Sequence, residues 1–183
     1  MINVSHAIGR LAEIRMTPPI TGDDLVIMQR DLSGILGRVP GRIVVCADMS
    51  GATVFPSDLA DRLARFFRTG NSRLERTAIV VGGGATFFLQ VERLLREGAG
   101  SRPEPSSLPA RDAGGARSPH RSDPLLASRA AEKGLGSDPY MTKRTSERRA
   151  FRTTAEAAAW LEEVLTLDER ARLRLFLDGP RPG

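Results

Sequence analysis

The stretch Thr77–Leu95, TAIVVGGGATFFLQVERLL, runs from an apolar strand through three glycines into an amphipathic helix. Thr77–Val81 has the continuous apolar run of a strand buried on both faces. Beyond the glycines, Phe87, Val91, Leu94 and Leu95 recur at helical spacing and define one apolar face. Strand, tight turn, helix is the unit from which parallel α/β sheets are assembled. Nucleotide-binding loops are built in the same order, so the turn has to be read residue by residue.

A P-loop needs a Lys and a Ser or Thr after its final glycine, to reach the phosphates and the metal. Here Gly82, Gly83 and Gly84 are followed by Ala85 and Thr86, with no lysine. A dinucleotide fingerprint needs a third small residue where Phe87 stands, and it belongs to the first strand–helix turn of its domain. Two readings remain. The backbone N–H groups at the helix start could hold an anion, which makes Gly82, Gly83, Gly84 and Thr86 the candidate anion or nucleotide positions. Alternatively, the glycines serve a sharp turn with positive φ and a close strand–helix approach.

The same alternation extends outward. HAIGRLAEIRM, with Ile8, Leu11 and Ile14 as apolar anchors, reads as one long strand or a hairpin bent at Gly9. TGDDLVIMQRDLSGILG reads as a helix capped by Thr21 with Asp24 closing a capping box, an inner stripe of Leu25, Met28, Leu32, Ile35 and Leu36, and Gly37 as its end. RIVVCADM is a second buried strand. PSDLADRLARFFRTG is a helix with Ser57 as its expected N-cap and Leu59, Leu63, Phe66 and Phe67 facing inward. After residue 146, a short strand around Ala150–Phe151 leads into a helix capped by Thr153 and Glu156, with Ala159, Trp160 and Val164 among its expected buried residues. Thr166 and Glu169 repeat the capping pattern for a last helix. The expected fold is α/β: a mostly parallel or mixed sheet of four to five strands covered by helices.

Between these halves the composition changes. Residues 98–146 hold six of the twelve prolines and both lysines, and only DPLLASRAAEK could form a short helix. The segment cannot bury enough apolar surface to offset its ordering entropy, and reads as a low-complexity, disordered insertion. The expected single domain is therefore 1–97 plus 147–178.

The formal net charge of +5 invites a nucleic-acid reading. From Ser101 to Arg149, however, ten basic residues stand against six acidic ones, while the rest of the chain is nearly balanced. The charge belongs to the insertion, which lacks aromatic interleaving, so no specific nucleic-acid partner is expected. No apolar run reaches the length of a membrane span, and the N-terminal MINVSHAIGRLAEIR carries early charges unlike a signal peptide. A cytoplasmic protein is expected. The lone Cys46 excludes a disulfide framework and reads as a small buried hydrophobe.

Catalytic patterns are weak. His6 and His120 lie in no metal-ligand spacing and beside no Ser or Cys nucleophile. Glu162–Glu163 and Asp168–Glu169 read as common helix-surface and helix-start acids. A chain without an acid, base, nucleophile or metal set is expected to bind rather than to catalyse, with no cofactor.

Two segments together resemble a known family. RIVVCADMSGATVFPSDLADRLARFF, and the closing RRAFRTTAEAAAWLEEVL with Arg149, Phe151, Glu156, Ala157, Trp160 and Leu161, are similar to SpoIIAA-like proteins, bacterial relatives of the STAS domain. That resemblance implies a non-catalytic, switchable protein-binding module of the anti-sigma-antagonist kind, with a kinase-like or regulator-like protein partner. In that family a Ser at the start of the helix after a central strand is phosphorylated. The matching stretch is ADMSGATVFPSDLA. Ser57 is the nearest counterpart, and Ser50 and Thr53 lie in the loop before it. Asp48 and Asp58 bound the expected partner-binding loop, although the family's Asp-Ser-Ser-Gly-like context is absent and Asp58 would repel a phosphate. The last helix, Leu167–Leu177, looks like an extension that covers the sheet or pairs with another subunit as a homodimer.

Overall fold

The computed structural model describes residues 1–69, 72–99 and 146–180. The expected disordered insertion lies almost entirely outside the described residues, as do its short helix and His120.

Five strands form one sheet in the order in which they occur in the chain: β1 (Ile2–Ile8), β2 (Leu11–Met16), β3 (Ile43–Met49), β4 (Leu74–Val81) and β5 (Glu147–Phe151). β1 and β2 pair antiparallel, and every later pair is parallel, so the sheet is mixed. The hairpin alternative for HAIGRLAEIRM therefore holds. It turns at Gly9, whose φ of +55° is in the left-handed region. The first strand begins earlier than its pattern suggests, at Ile2.

Helices α1 (Gly22–Arg38), α2 (Ser57–Thr69) and α3 (Ala85–Gly98) connect successive parallel strands. Because each strand adds next to its predecessor with the same crossover hand, all three helices fall on one face. Their stripes pack on Ala12, Ile14, Val45, Ala47, Ile79 and Val81. The opposite face carries Leu11, Val44, Cys46, Ala78 and Val80, and it is closed by α4 (Thr154–Glu162) and α5 (Leu167–Asp178) through Ala157, Trp160, Leu161, Leu173 and Phe176. The period-2 alternation of β3 thus serves two cores at once, which is why its sequence is uniformly apolar.

Local details differ from the sequence reading in four places. Gly37 lies inside α1, which runs to Arg38 and is closed by the Val39 N–H on Ile35 O at 2.9 Å. Ala159 is exposed, and Ala157 is the alanine that packs against the sheet. Ser57 is not the cap of α2. The Ala60 N–H donates to Pro56 O at 2.9 Å, so Pro56 occupies the cap position and Ser57 is the first helical residue. The φ angles of Gly82, Gly83 and Gly84 are outside the positive region, where, among the described glycines, only Gly9 and Gly41 lie. The capping boxes Thr21–Asp24, Thr153–Glu156 and Thr166–Glu169 all form.

Helix α5 covers the sheet and is anchored by charge. Glu13 on β2 is 1% exposed and accepts two 2.6 Å bonds from Nε and Nη2 of Arg172, with a third from Ser5 Oγ at 3.0 Å. Arg15 donates to Phe176 O and Pro180 O and lies over the Phe176 ring. Glu169, 2% exposed, accepts the Arg10 N–H at 2.5 Å. It is not the surface acid its position suggests. Burial pushes its carboxyl up, but the amides of Arg10 and Thr166, the Thr166 hydroxyl and the Arg10 charge outweigh that and leave it below the ordinary Glu value.

Candidate functional site

The carboxyl ends of parallel strands are where open α/β sheets expose their working loops. Here that edge carries the loop between β3 and α2 and the glycine turn between β4 and α3.

The loop starts from a buried acid. Asp48, 2% exposed, faces the α4–α5 side of the sheet, where Arg15 Nε lies 3.5 Å from its Oδ2. Its Oδ1 accepts the Ser50 N–H at 2.9 Å and the Ser50 hydroxyl at 2.6 Å, which turns the chain away from the strand. Asp48 therefore holds the loop from below and is not part of the loop's exposed surface. The Ala52 N–H donating to Met49 O at 2.9 Å completes the turn.

Phe55 pins the far end. Its ring meets Phe87 edge-on, with centroids 5.1 Å apart at 82°. Its backbone is clamped by Gln90 of α3, which both accepts the Phe55 N–H and donates to Phe55 O, each at 2.8 Å. Between these anchors Thr53 and Val54 are exposed, and Pro56, Ser57 and Asp58 follow on the exposed start of α2. Of the three candidate hydroxyls, Ser50 is engaged by Asp48. Those of Thr53 and Ser57 are exposed and make no hydrogen bond among the described residues.

The glycine turn lies directly behind this loop. A Cβ on Gly82 would stand 2.2 Å from Ser50 O, so Gly82 is required by the close approach of two chain turns. Gly83 borders open space. Gly84 occupies the cap position of α3 and, lacking a side chain, leaves the first amides of the helix without a side-chain acceptor. Thr86 is exposed in the first turn. Close approach thus accounts for Gly82, while the amides after Gly84 are the only part of the turn with anion-holding chemistry.

Elsewhere the chemistry is sparse. No group of three or more His, Cys, Asp or Glu among the described residues could hold a metal ion. Cys46 is buried beneath α4 and α5, where burial pushes its thiol well above the ordinary value. No described helix is long and apolar enough to cross a membrane. The Gln90 clamp and the Arg15 contact to Asp48 escaped the sequence reading because both act across distant segments. The one local signal was an Asp two residues before a Ser at a strand end.

No protein-family model, curated protein or solved structure matches the chain.

Proposed function

We propose that this chain is a non-catalytic, STAS-like regulatory module that binds a protein partner through residues 50–58. The observation that carries the reading is the double anchoring of an exposed turn. Asp48 fixes one end and the Gln90–Phe87 pair fixes the other, so Thr53, Val54, Pro56, Ser57 and Asp58 are presented in one conformation. A pre-organised surface binds with less ordering cost than a mobile one. The surface carries a half-exposed Val54 (49%) but no nucleophile–base pair or metal set, which suits recognition better than chemistry.

Ser57 is the proposed switch. It is exposed at the first position of α2, where a phosphate would lie beside the unpaired amides of the helix start and would place about two negative charges on the docking face. Crosslinked affinity capture from the native cells, with mass spectrometry of partners and phosphosites, tests both parts. A regulator- or kinase-like partner retained by Ser57→Ala and lost with Ser57→Asp is the expected result. Equal capture by wild type, Ser57→Ala and Ser57→Asp would sink the switch. No partner crosslinked to residues 50–58 would sink the docking surface.

A further inference from the structure

The face that carries α1 to α3 is not filled. Between the sheet and the α1–α2 pair lies a cavity of about 120 Å³, bounded by Ile14, Val45 and Ile79 below and by Met28, Leu32 and Leu63 above. A dry apolar cavity of about 150 Å³ is enough to hold a benzene molecule. At about 120 Å³ this one is smaller, so it admits a short alkyl chain, or a ring that reaches into the adjoining α1–α2 groove, and not a nucleotide or a long acyl chain.

Of the polar residues in its lining (Gln29, Ser33, Thr69, Thr77 and Arg148), two stand side by side on the sheet. Thr77 on β4 is 7% exposed, and its Oγ1 has no hydrogen-bond partner among the described residues. Arg148 on β5 is its register neighbour and lines the same cavity. Arg148 Nη1 donates to Phe67 O at 2.5 Å, and the guanidinium lies 5.7 Å from the Phe67 ring. Burial alone shifts the Arg148 pKa, downward, and no carboxylate among the described residues pulls it back. A buried hydroxyl without a partner is destabilising, and a half-buried cation with no counterion among the described residues adds to that. Both are donors, and they sit side by side.

We propose that this cavity binds a small monocarboxylate with an apolar part of about six carbons. One carboxylate oxygen accepts from Thr77 Oγ1 and the other from the remaining N–H groups of Arg148. The ring or chain fills the space between β3, β4 and the α1–α2 pair. The lining contains no Asp or Glu, so an amine finds no counter-charge there. A phosphate ester would bring a second charge with nothing to meet it. Entry is through the α1–α2 seam. A surface groove there shares Gln29, Phe66 and Thr69 with the cavity, and α2 packs far more closely on α3 than on α1. Thr77 and Arg148 stand toward the starts of their strands, at the opposite end from residues 50–58, so the proposal does not depend on the loop's role.

The test is calorimetric titration of the full chain with phenylacetate and hexanoate, beside 2-phenylethanol and 1-hexanol as neutral counterparts. Saturable binding of a carboxylate is expected, at least about tenfold tighter than its alcohol and at least about tenfold weakened by Arg148→Met and by Thr77→Val. No saturable heat with either carboxylate up to ~10 mM overturns the proposal, since nothing weaker counts as a site. Equal affinity for acid and alcohol also overturns it, because it leaves only an apolar hole. Should a variant fail to fold, methyl NMR of the wild type decides. Carboxylate-induced shifts at Met28, Val45 and Ile79 are expected, and shifts confined to other methyls refute the location.

Discussion

Gln90 and Phe55 exchange two hydrogen bonds of 2.8 Å, the carboxamide taking both backbone groups of a loop residue. A neighbouring strand would satisfy the same pair. Gln90→Leu strands a part-buried N–H and C=O, and is expected to cost about 2 kcal/mol. Gln90→Glu keeps the acceptor and loses the donor, so an intermediate cost is expected. Hydrogen exchange checks the mechanism. The Phe55 amide should lose protection in Gln90→Leu while β3 and β4 keep theirs; protection unchanged at Phe55 would mean the clamp is ornamental.

The two glycines that open the β4–α3 turn should respond oppositely to alanine. At Gly82 the new Cβ meets Ser50 O, a backbone atom that cannot swing aside, and a loss of about 3 kcal/mol is expected. At Gly83 the Cβ enters open space, and reduced freedom of the unfolded chain should give a gain of about 0.5 kcal/mol. Urea denaturation of both variants measures the contrast. Equal effects would contradict the close approach.

Arg172 neutralises a carboxylate that has almost no contact with water. Arg172→Met leaves Glu13 buried with, among the described residues, only Ser5 Oγ to serve it, and is expected to lose about 3 kcal/mol. Replacing both partners, Glu13→Leu with Arg172→Met, should recover most of that loss, because the desolvation penalty goes with the charge. A double-mutant cycle in which the double variant is as unstable as the sum of the singles would refute the pairing as the source.

Glu169 sets an acid limit. Its pKa in the folded protein is depressed below an unfolded value of about 4.3. Its contribution to stability is therefore complete above that pH and is lost as the pH falls through the folded value. Stability measured from pH 7 to pH 3 should decline at the acid end, and Glu169→Gln should decline less steeply over that window. Identical slopes would assign the acid limb to other carboxylates, such as Asp24 and Glu162, whose values are also lowered by their hydrogen-bond partners.

What the sequence disclosed depended on how far each interaction reaches. The capping boxes at Thr21, Thr153 and Thr166, and the inner stripe of α3, involve residues within a turn or two of one another, so spacing alone revealed them. The start of α2 differs by one residue because Ser57 is a favoured cap by type, whereas the helix's first carbonyl acceptor is Pro56 O. Glu169 looked like an ordinary helix-start acid. What buries it is Arg10, 159 positions away, and no local pattern encodes that. Asp48 was legible as the edge of a loop but not as its buried anchor, since Arg15 reaches it only after β2 and β3 are in register. The cavity was invisible altogether: Thr77 and Arg148 become neighbours only through strand pairing across a break of some seventy residues.

The unpermuted strand order has a counterpart in time. Each parallel strand joins the one made just before it, so the sheet can grow outward from the hairpin as the chain is synthesised, with short-range closures at the first steps. Helix α5 breaks that progression, because it is made after every strand yet grips the first hairpin at Arg10, Glu13 and Arg15. Until it arrives, Glu13 lacks its arginine and the face of the sheet that α4 begins to cover is only partly closed. The nascent chain must therefore pass through a stage that is complete in strands but still adhesive, and the final helix acts as the latch that ends it.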